Sequence, residues 1–171
     1  MINVVLYQPE IPPNTGNIIR TCYAVGAKLH IIKPIAFDLF HPNIKRAAAG
    51  RTINDIEYEI YENYQEFSKK YQNKKIYYLT RYGLKNYSDI DFKEDNDIWI
   101  MFGTESTGIP KKILQKSIDT CIRIPMKAEC RSLNLANTVN LIAYEILRQK
   151  NFEGLSKFEV QKGKEFILEK E

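Results

Sequence analysis

The sequence contains no pair of cysteines spaced to act together. Cys22, Cys121 and Cys130 are widely separated, no Cys-x-x-Cys occurs, and His30 and His41 stand in no ligand-like spacing. A disulfide framework, a zinc site or any other metal centre is therefore not expected, and a reduced, cytoplasmic setting is. Apolar runs are short, far below the roughly 20 residues that span a bilayer. The opening Met-Ile-Asn-Val-Val-Leu lacks the basic stretch and small-residue cleavage site of a signal peptide. No membrane partner is expected. No Gly-x-Gly-x-x-Gly follows an apolar run, so a dinucleotide-binding fold lacks its fingerprint. Charge of neither sign dominates: 25 Lys and Arg against 21 Asp and Glu leave +4. That balance permits a polyanionic partner without demanding one.

What is present is an ordinary globular composition, 44% hydrophobic and 27% charged over 171 residues. It is enough for one core and short for two. Short apolar runs alternate with amphipathic stretches. Strands are expected at Ile2–Tyr7, Leu29–Ile32, Tyr58–Tyr61, Lys75–Leu79, Ile98–Phe102 and Cys121–Ile124. Pro9–Pro13 reads as a loop and Asn14–Val25 as a helix, with Ile18, Cys22 and Val25 on one face and Gly26 as its stop. Further helices are expected at Ile44–Ala49, Glu62–Tyr71, Lys111–Gln115 and Leu133–Arg148. The last carries Leu135, Val139, Ile142, Ile146 and Leu147 at helical spacing. Arg81–Asp97 reads as loop, and the charged tail beyond Ser156 as a loosely attached helix. The alternation implies an α/β fold, a mostly parallel sheet with helices on both faces. In such sheets ligands sit outside the carboxyl ends of the strands. Attention falls on the turns after Tyr7, Leu79, Phe102 and Ile124.

Three clusters carry the unusual residues. Asn14-Thr-Gly-Asn-Ile-Ile-Arg20 opens a helix, with Asn17 and Arg20 on one face, opposite Ile18 and Cys22. Free N–H groups, a bare Gly16 and Arg20 one turn on could cradle a phosphate. The plainer alternative makes Asn14 or Thr15 an N-cap and Arg20 a solvated charge. Gly103-Thr-Glu-Ser-Thr-Gly108 follows the most apolar strand. It is no P-loop, because Ile109 and Pro110 stand where Lys and Ser/Thr are required. Its glycines suit close approach of a ligand to the backbone, with Glu105 as a polar contact, or they make an ordinary turn. Ile124-Pro-Met-Lys-Ala-Glu-Cys-Arg-Ser-Leu-Asn134 leads into the last helix, with Ser132 as a credible N-cap. Cys130 could serve as a nucleophile, but no partner histidine or cysteine stands near it in sequence.

In this order the clusters resemble the SPOUT methyltransferases: Asn14-x-Gly16-x-x-x-Arg20, Gly103-x-Glu105-x-x-Gly108, and Ile124-Pro125-Met126 followed by Ser132-Leu133-Asn134. The opening Leu-Tyr-Gln-Pro-Glu-Ile-Pro-Pro-Asn-Thr-Gly-Asn is similar to that of the members that methylate the ribose 2′-oxygen of the wobble cytidine or uridine of tRNA. The resemblance spans roughly residues 1–154, read as a single domain, and leaves 155–171 as a tail. It implies a deep trefoil knot in the C-terminal half, which general topology rules would not predict. It also implies a homodimer acting on tRNA, with S-adenosyl-L-methionine as methyl donor and neither metal nor DNA involved.

Carried over by residue, the resemblance implies adenosine-binding backbone at Leu79, Gly103, Ile124 and Ser132, with Met126 and Leu133 lining the pocket. Arg20, Ser132 and Asn134 become the catalytic set, and Asn14, Asn17 and Glu105 shape the substrate site. At Ser106-Thr107, where some relatives carry a basic residue, the sequence departs from the pattern, and the resemblance does not carry over the RNA contact that residue would make. Arg20 stays protonated and suits stabilisation of developing oxygen charge rather than removal of a proton. Tyr144, beside Val139, Ile142 and Ile146, is expected to offer apolar area to a second copy. Two alternatives stand beside this reading. One is methylation of ribosomal RNA, though relatives of that kind usually carry an added RNA-binding domain that 171 residues do not accommodate. The other is a catalytically silent RNA-binding member, against which Arg20, Ser132 and Asn134 argue.

Overall fold

In the computed structural model, which describes residues 1–168, seven strands pair in parallel. They are β1 (Ile2–Tyr7), β2 (Lys28–Ile32), β3 (Tyr58–Tyr61), β4 (Ile76–Leu79), β5 (Lys85–Asn86), β6 (Ile98–Phe102) and β7 (Cys121–Arg123). Their order is β3-β2-β1-β6-β4-β7-β5, so the chain builds one half of the sheet outward from β1 and then crosses to build the other. β1 and β6 lie at the centre and are almost wholly buried, as a strand covered on both faces must be. Alternation divides their side chains between two cores. Val4, Leu6, Ile100 and Phe102 point to one, and Val5, Trp99 and Met101 to the other.

Five helices cover these faces: α1 (Pro12–Val25), α2 (Pro42–Ala47), α3 (Tyr64–Lys70), α4 (Lys111–Leu114) and α5 (Leu135–Gln149). α1 and α5 close the first face through Ile18, Ile19, Cys22, Val139, Ile142 and Ile146. α3 and α4 close the second through Phe67 and Ile113. α1 begins two residues before the sequence reading placed it. Pro12 and Pro13 are its first residues, where a missing N–H costs nothing. Gly26 ends it at φ 65°, and the Ala27 N–H returns to the Cys22 carbonyl at 2.9 Å.

Three other expectations are corrected. The segment 81–97, read as loop, contains β5 and a 3-10 turn at Tyr87–Asp89. Both β5 residues are polar, so no apolar run announced it. The same segment is strapped across the end of α5: Gln149 donates to the Ile90 carbonyl at 2.9 Å and accepts from the Phe92 N–H at 2.8 Å. The tail is not a helix over its described part. It bends repeatedly, makes one 3-10 turn at Phe166–Leu168, and exposes Phe158, Val160 and Ile167. An isolated short helix without a packed face is marginal in water. Residues 169–171 of that tail lie outside the described residues. Lastly, Val139, Ile142 and Ile146 are spent on the chain's own core, leaving Tyr144 exposed on α5 without them.

The second face holds a buried polar chain. His30 is fully buried; its Nδ1 meets the Tyr61 hydroxyl at 2.8 Å and its Nε2 the Asn3 Oδ1 at 3.1 Å. Asn3 in turn donates to Asp97 at 2.7 Å, which turns its carbonyl oxygen toward the histidine. Burial holds the His30 pKa down at about 4, against 6.5 in an open chain. Above pH 6.5 the ring is neutral folded or unfolded, and stability is fully present. Between 6.5 and 4 the unfolded chain takes up a proton that the folded chain refuses, so stability falls with pH. The total is up to about 3 kcal/mol for this residue, and carboxylates add little above pH 5. Urea denaturation at pH 7 and pH 5 is expected to show the fall in wild type and a shallower one in His30→Gln. Equal slopes would remove His30 as the cause.

Candidate active site

The carboxyl ends of β1, β4, β6 and β7 open on one cleft of about 710 Å3, inside the rough range of 300–1,000 Å3 typical of small-molecule sites. Its walls come from all four turns singled out in the sequence: Ile11 and Asn14 after β1, Thr80 to Tyr82 after β4, Gly103 to Gly108 after β6, and Ile124 and Met126 after β7. The approach to α5 supplies the rest, from Arg131 to Leu135 together with Thr138.

A chain of amides and carboxylates ties these walls together. The Glu105 carboxylate accepts from the Glu10 N–H at 2.9 Å, the Ile11 N–H at 3.2 Å and Asn14 Nδ2 at 3.0 Å. α1 has no acid of its own in its first turn and no side-chain cap, so Glu105 acts as a cap delivered from the β6 turn. In return Glu10 accepts from the Ser106 N–H at 2.9 Å and its hydroxyl at 2.7 Å. Asn14 must present its NH2 to Glu105, so its Oδ1 faces Asn134 Nδ2, at 2.9 Å. Asn134 Oδ1 is then committed to the N–H groups of Ala136 at 2.9 Å and Asn137 at 3.2 Å, capping α5. With its oxygen occupied, Asn134 can offer the cleft a remaining N–H but cannot take a proton.

Glu105→Gln therefore removes charge from an acceptor of three donors and turns an NH2 toward at least one of them. A loss of about 1–3 kcal/mol in stability is expected, with weaker binding of any ligand held between the two clasped loops. Thermal denaturation and ligand titration measure both; an unchanged melting point would show the clasp to be idle.

The sequence-derived residues divide. Leu79, Gly103, Ile124, Met126, Ser132, Leu133, Asn134, Asn14 and Glu105 all line the cleft. Arg20 and Asn17 do not: both are exposed on the outer face of α1. Arg20 is six residues past Asn14, roughly 9 Å farther along the helix. The phosphate cradle at the start of α1 is not formed. Pro12 and Pro13 have no N–H, those of Asn14 and Thr15 return to the Ile11 carbonyl at 3.0 and 3.3 Å, and a carboxylate already occupies the end of the helix. Neither Asn14 nor Thr15 is the N-cap, which is Ile11. The Thr15 hydroxyl is buried without a hydrogen-bond partner among the described residues.

Gly16 serves packing. A Cβ there would stand 2.5 Å from the Ile44 carbonyl oxygen of α2. Gly103 likewise lets its own turn close, for a Cβ would lie 2.2 Å from the Gly108 carbonyl carbon. Ser132 does not cap α5; Asn134 does, leaving Ser132 on the cleft wall. Cys130 is exposed and does not line the cleft, and neither histidine stands there to activate it. Neither histidine lines the cleft, since His30 is in the core and His41 caps α2 by accepting from the Asn43 N–H. The sequence reading missed Arg81, Tyr82, Thr104 and Arg131. Arg131 adjoins Ser132 and was within reach. Nothing local marks Thr104, whose hydroxyl organises the turn by accepting from the N–H groups of Thr107 at 3.0 Å and Gly108 at 3.1 Å.

The donor set suits S-adenosyl-L-methionine. Leu79, Phe102, Ile124 and Met126 give an apolar slot for a purine. Ser132, Thr138 and Thr104 offer hydroxyls, and Glu105 contributes a carboxylate to the lining for a cationic ligand.

Comparison with known proteins converges on the same chemistry. Residues 1–144 match the model of the SpoU rRNA methylase family. A Listeria monocytogenes (serotype 4b) protein with the provisional name tRNA (cytidine(34)-2′-O)-methyltransferase is 46% identical over 154 residues, 90% of each chain. A solved structure from work on 2-OH methylation of C/U34 on tRNA is 34% identical, with a TM-score of 0.81 over 90% of this chain and 98% of that one. The SpoU methyltransferase AviRb from Streptomyces viridochromogenes, solved with AdoMet, is 25% identical. Its TM-score is 0.72 over 88% of this chain and 60% of that longer one.

Proposed function

The chain belongs to the SpoU methylase family, and from that premise we propose that it transfers a methyl group from S-adenosyl-L-methionine to the ribose 2′-hydroxyl of the wobble cytidine or uridine of tRNA. The observation that carries this is the single cleft in which Leu79, Gly103, Ile124, Met126, Ser132 and Leu133 meet the Glu105–Asn14–Asn134 chain. A relative 46% identical carries the provisional name tRNA (cytidine(34)-2′-O)-methyltransferase, and a solved neighbour comes from work on 2-OH methylation of C/U34 on tRNA. S-adenosyl-L-methionine supplies an electrophilic methyl on sulfonium. The walls from β4, β6 and β7 would hold its adenosine, and a dry cleft favours a step in which charge is neutralised. Asn134 offers an N–H donor to the ribose oxygens, and the Ser132 hydroxyl stands beside it.

Arg20 faces away from its own cleft, so its role toward the reacting oxygen requires a second copy whose α1 lies across that cleft. The exposed faces of α1 and α5, with Asn17, Arg20, Asn140 and Tyr144, are the surfaces assigned to this homodimer. The strap from Ile90 to Lys93 over α5 supports reading the C-terminal segment as threaded through the preceding loop, the knot implied by the family. Residues 1–154 are taken as the catalytic domain and 155–171 as an appendage, and the enzyme is placed in the cytoplasm with its tRNA. Methyl transfer from labelled donor to tRNA transcripts, repeated after replacing the wobble nucleotide with its 2′-deoxy form, tests the assignment. Label must vanish in the deoxy transcript, and label that persists there would refute it.

A further inference from the structure

Tyr82 is an anomaly for a packed protein. The residue is 70% exposed, yet its backbone is held fast. The Thr80 N–H donates to the Ile122 carbonyl at 2.9 Å, the Tyr82 N–H to the Thr80 hydroxyl at 3.3 Å, and the Gly83 N–H to the Thr80 carbonyl at 3.2 Å. Gly83 is pressed on β7 so closely that a Cβ would lie 2.5 Å from the Ile122 carbonyl carbon. The ring is thus an aromatic surface carried by a fixed backbone at the border of the cleft, and among the described residues it packs into neither core. The Arg81 guanidinium lies 5.1 Å from its centroid, and Arg131 lines the cleft as well. An exposed aromatic beside one guanidinium group, in a cleft that a second arginine also lines, is the chemistry that receives an unstacked nucleotide, with the ring for the base and the cations for its phosphates.

We propose that Tyr82 is the platform on which the base of the methylated nucleotide stacks, with Arg81 and Arg131 holding the flanking phosphates. The proposal rests on the methyltransferase reading above and adds the residues that position the nucleotide. Stacking is indifferent to hydrogen-bond pattern, which suits a site that accepts cytidine and uridine alike. Tyr82 touches substrate and not the donor, because the apolar residues that would hold the adenosine, Leu79, Ile124 and Met126, are partly buried whereas Tyr82 is exposed.

The test uses the full-length protein and an anticodon stem-loop carrying pyrrolocytidine, a fluorescent cytidine analogue quenched on stacking, at the wobble position. Wild type should quench it. Tyr82→Ala should abolish the quenching and raise the RNA KM about tenfold, the loss typical of one stacking aromatic. Its kcat at saturation and its donor affinity should stay near wild type. Tyr82→Phe keeps the ring and should restore both quenching and KM, which a merely structural role for the hydroxyl would not allow. Arg131→Gln should weaken RNA binding and reduce its salt dependence without altering the quenching at saturation. The proposal is overturned if Tyr82→Ala quenches like wild type, or if its donor affinity falls together with turnover, which would make Tyr82 part of the donor pocket. Failure of wild type to methylate the stem-loop at all would instead strike the functional reading on which the proposal rests.

Discussion

Replacing Arg20 by alanine is expected to lower single-turnover methyl transfer by about 10²-fold or more, the scale of losing one donor to a developing oxyanion. Arg20 is exposed on α1, opposite the face carrying Ile18 and Cys22, so its removal costs no core packing. It does not line the cleft, so donor affinity should barely change. Arg20→Lys should recover only part of the loss, because an ammonium lacks the planar fork that can hold oxygen and phosphate together. The position on the outer face of α1 yields a sharper consequence. If Arg20 works in the cleft of a second copy, mixing inactive Arg20→Ala protein with inactive Asn134→Ala protein should restore part of the activity. Each mixed dimer then contains one cleft with both residues intact. Full activity in Arg20→Ala, or no recovery on mixing, would show that the residue does not act across a dimer.

The second large effect belongs to Gly103. A Cβ at this position would lie 2.2 Å from the Gly108 carbonyl carbon, 2.4 Å from the Ile109 nitrogen and 2.6 Å from the Gly108 Cα, all of them backbone. No rotamer change relieves such contacts, so Gly103→Ala must open the turn that forms one wall of the cleft. A stability loss of about 1–3 kcal/mol is expected, with donor affinity reduced at least about tenfold, since that opening moves a whole wall. Gly108 provides the contrast. It needs its glycine for φ 75° but has open space around a Cβ. Gly108→Asn, whose side chain tolerates the left-handed region, should therefore be much milder. Calorimetric titration and thermal denaturation of both variants decide the matter. A Gly103→Ala protein with wild-type melting and donor affinity would contradict the account of the turn.

The sequence reading and the structure meet where local patterns carry the information. The buried strands announced themselves as apolar runs, and α5 by Leu135, Val139, Ile142 and Ile146 at helical spacing. The rule that ligands gather at strand carboxyl ends placed the site at four turns, all of which line the cleft. What stayed hidden was made by residues distant in the chain. Asn14 and Asn134 are 120 positions apart, and Glu10 and Ser106 are 96 apart, so no window of sequence could join them. Glu105 could be read as polar and near a ligand, but not as the cap of a helix begun by two prolines. Gly16 and Gly103 were recognised as places of close approach, but the approaching group is the protein's own backbone rather than a ligand. Ser132 seemed the natural helix cap because it is a serine before an apolar run. Asn134 won that role because its amide can cap the helix and reach Asn14 at once. β5 escaped because Lys85 and Asn86 have no apolar signature and pair only through backbone with β7.

One measurement bears most directly on the central claim. The purified protein is incubated with labelled S-adenosyl-L-methionine and total tRNA, and the product is digested and mapped by mass spectrometry. One 2′-O-methylated pyrimidine is expected at the wobble position, and none when Asn134→Ala protein is used. Methyl groups on a base, at another tRNA position, or only on added ribosomal RNA would contradict the claim.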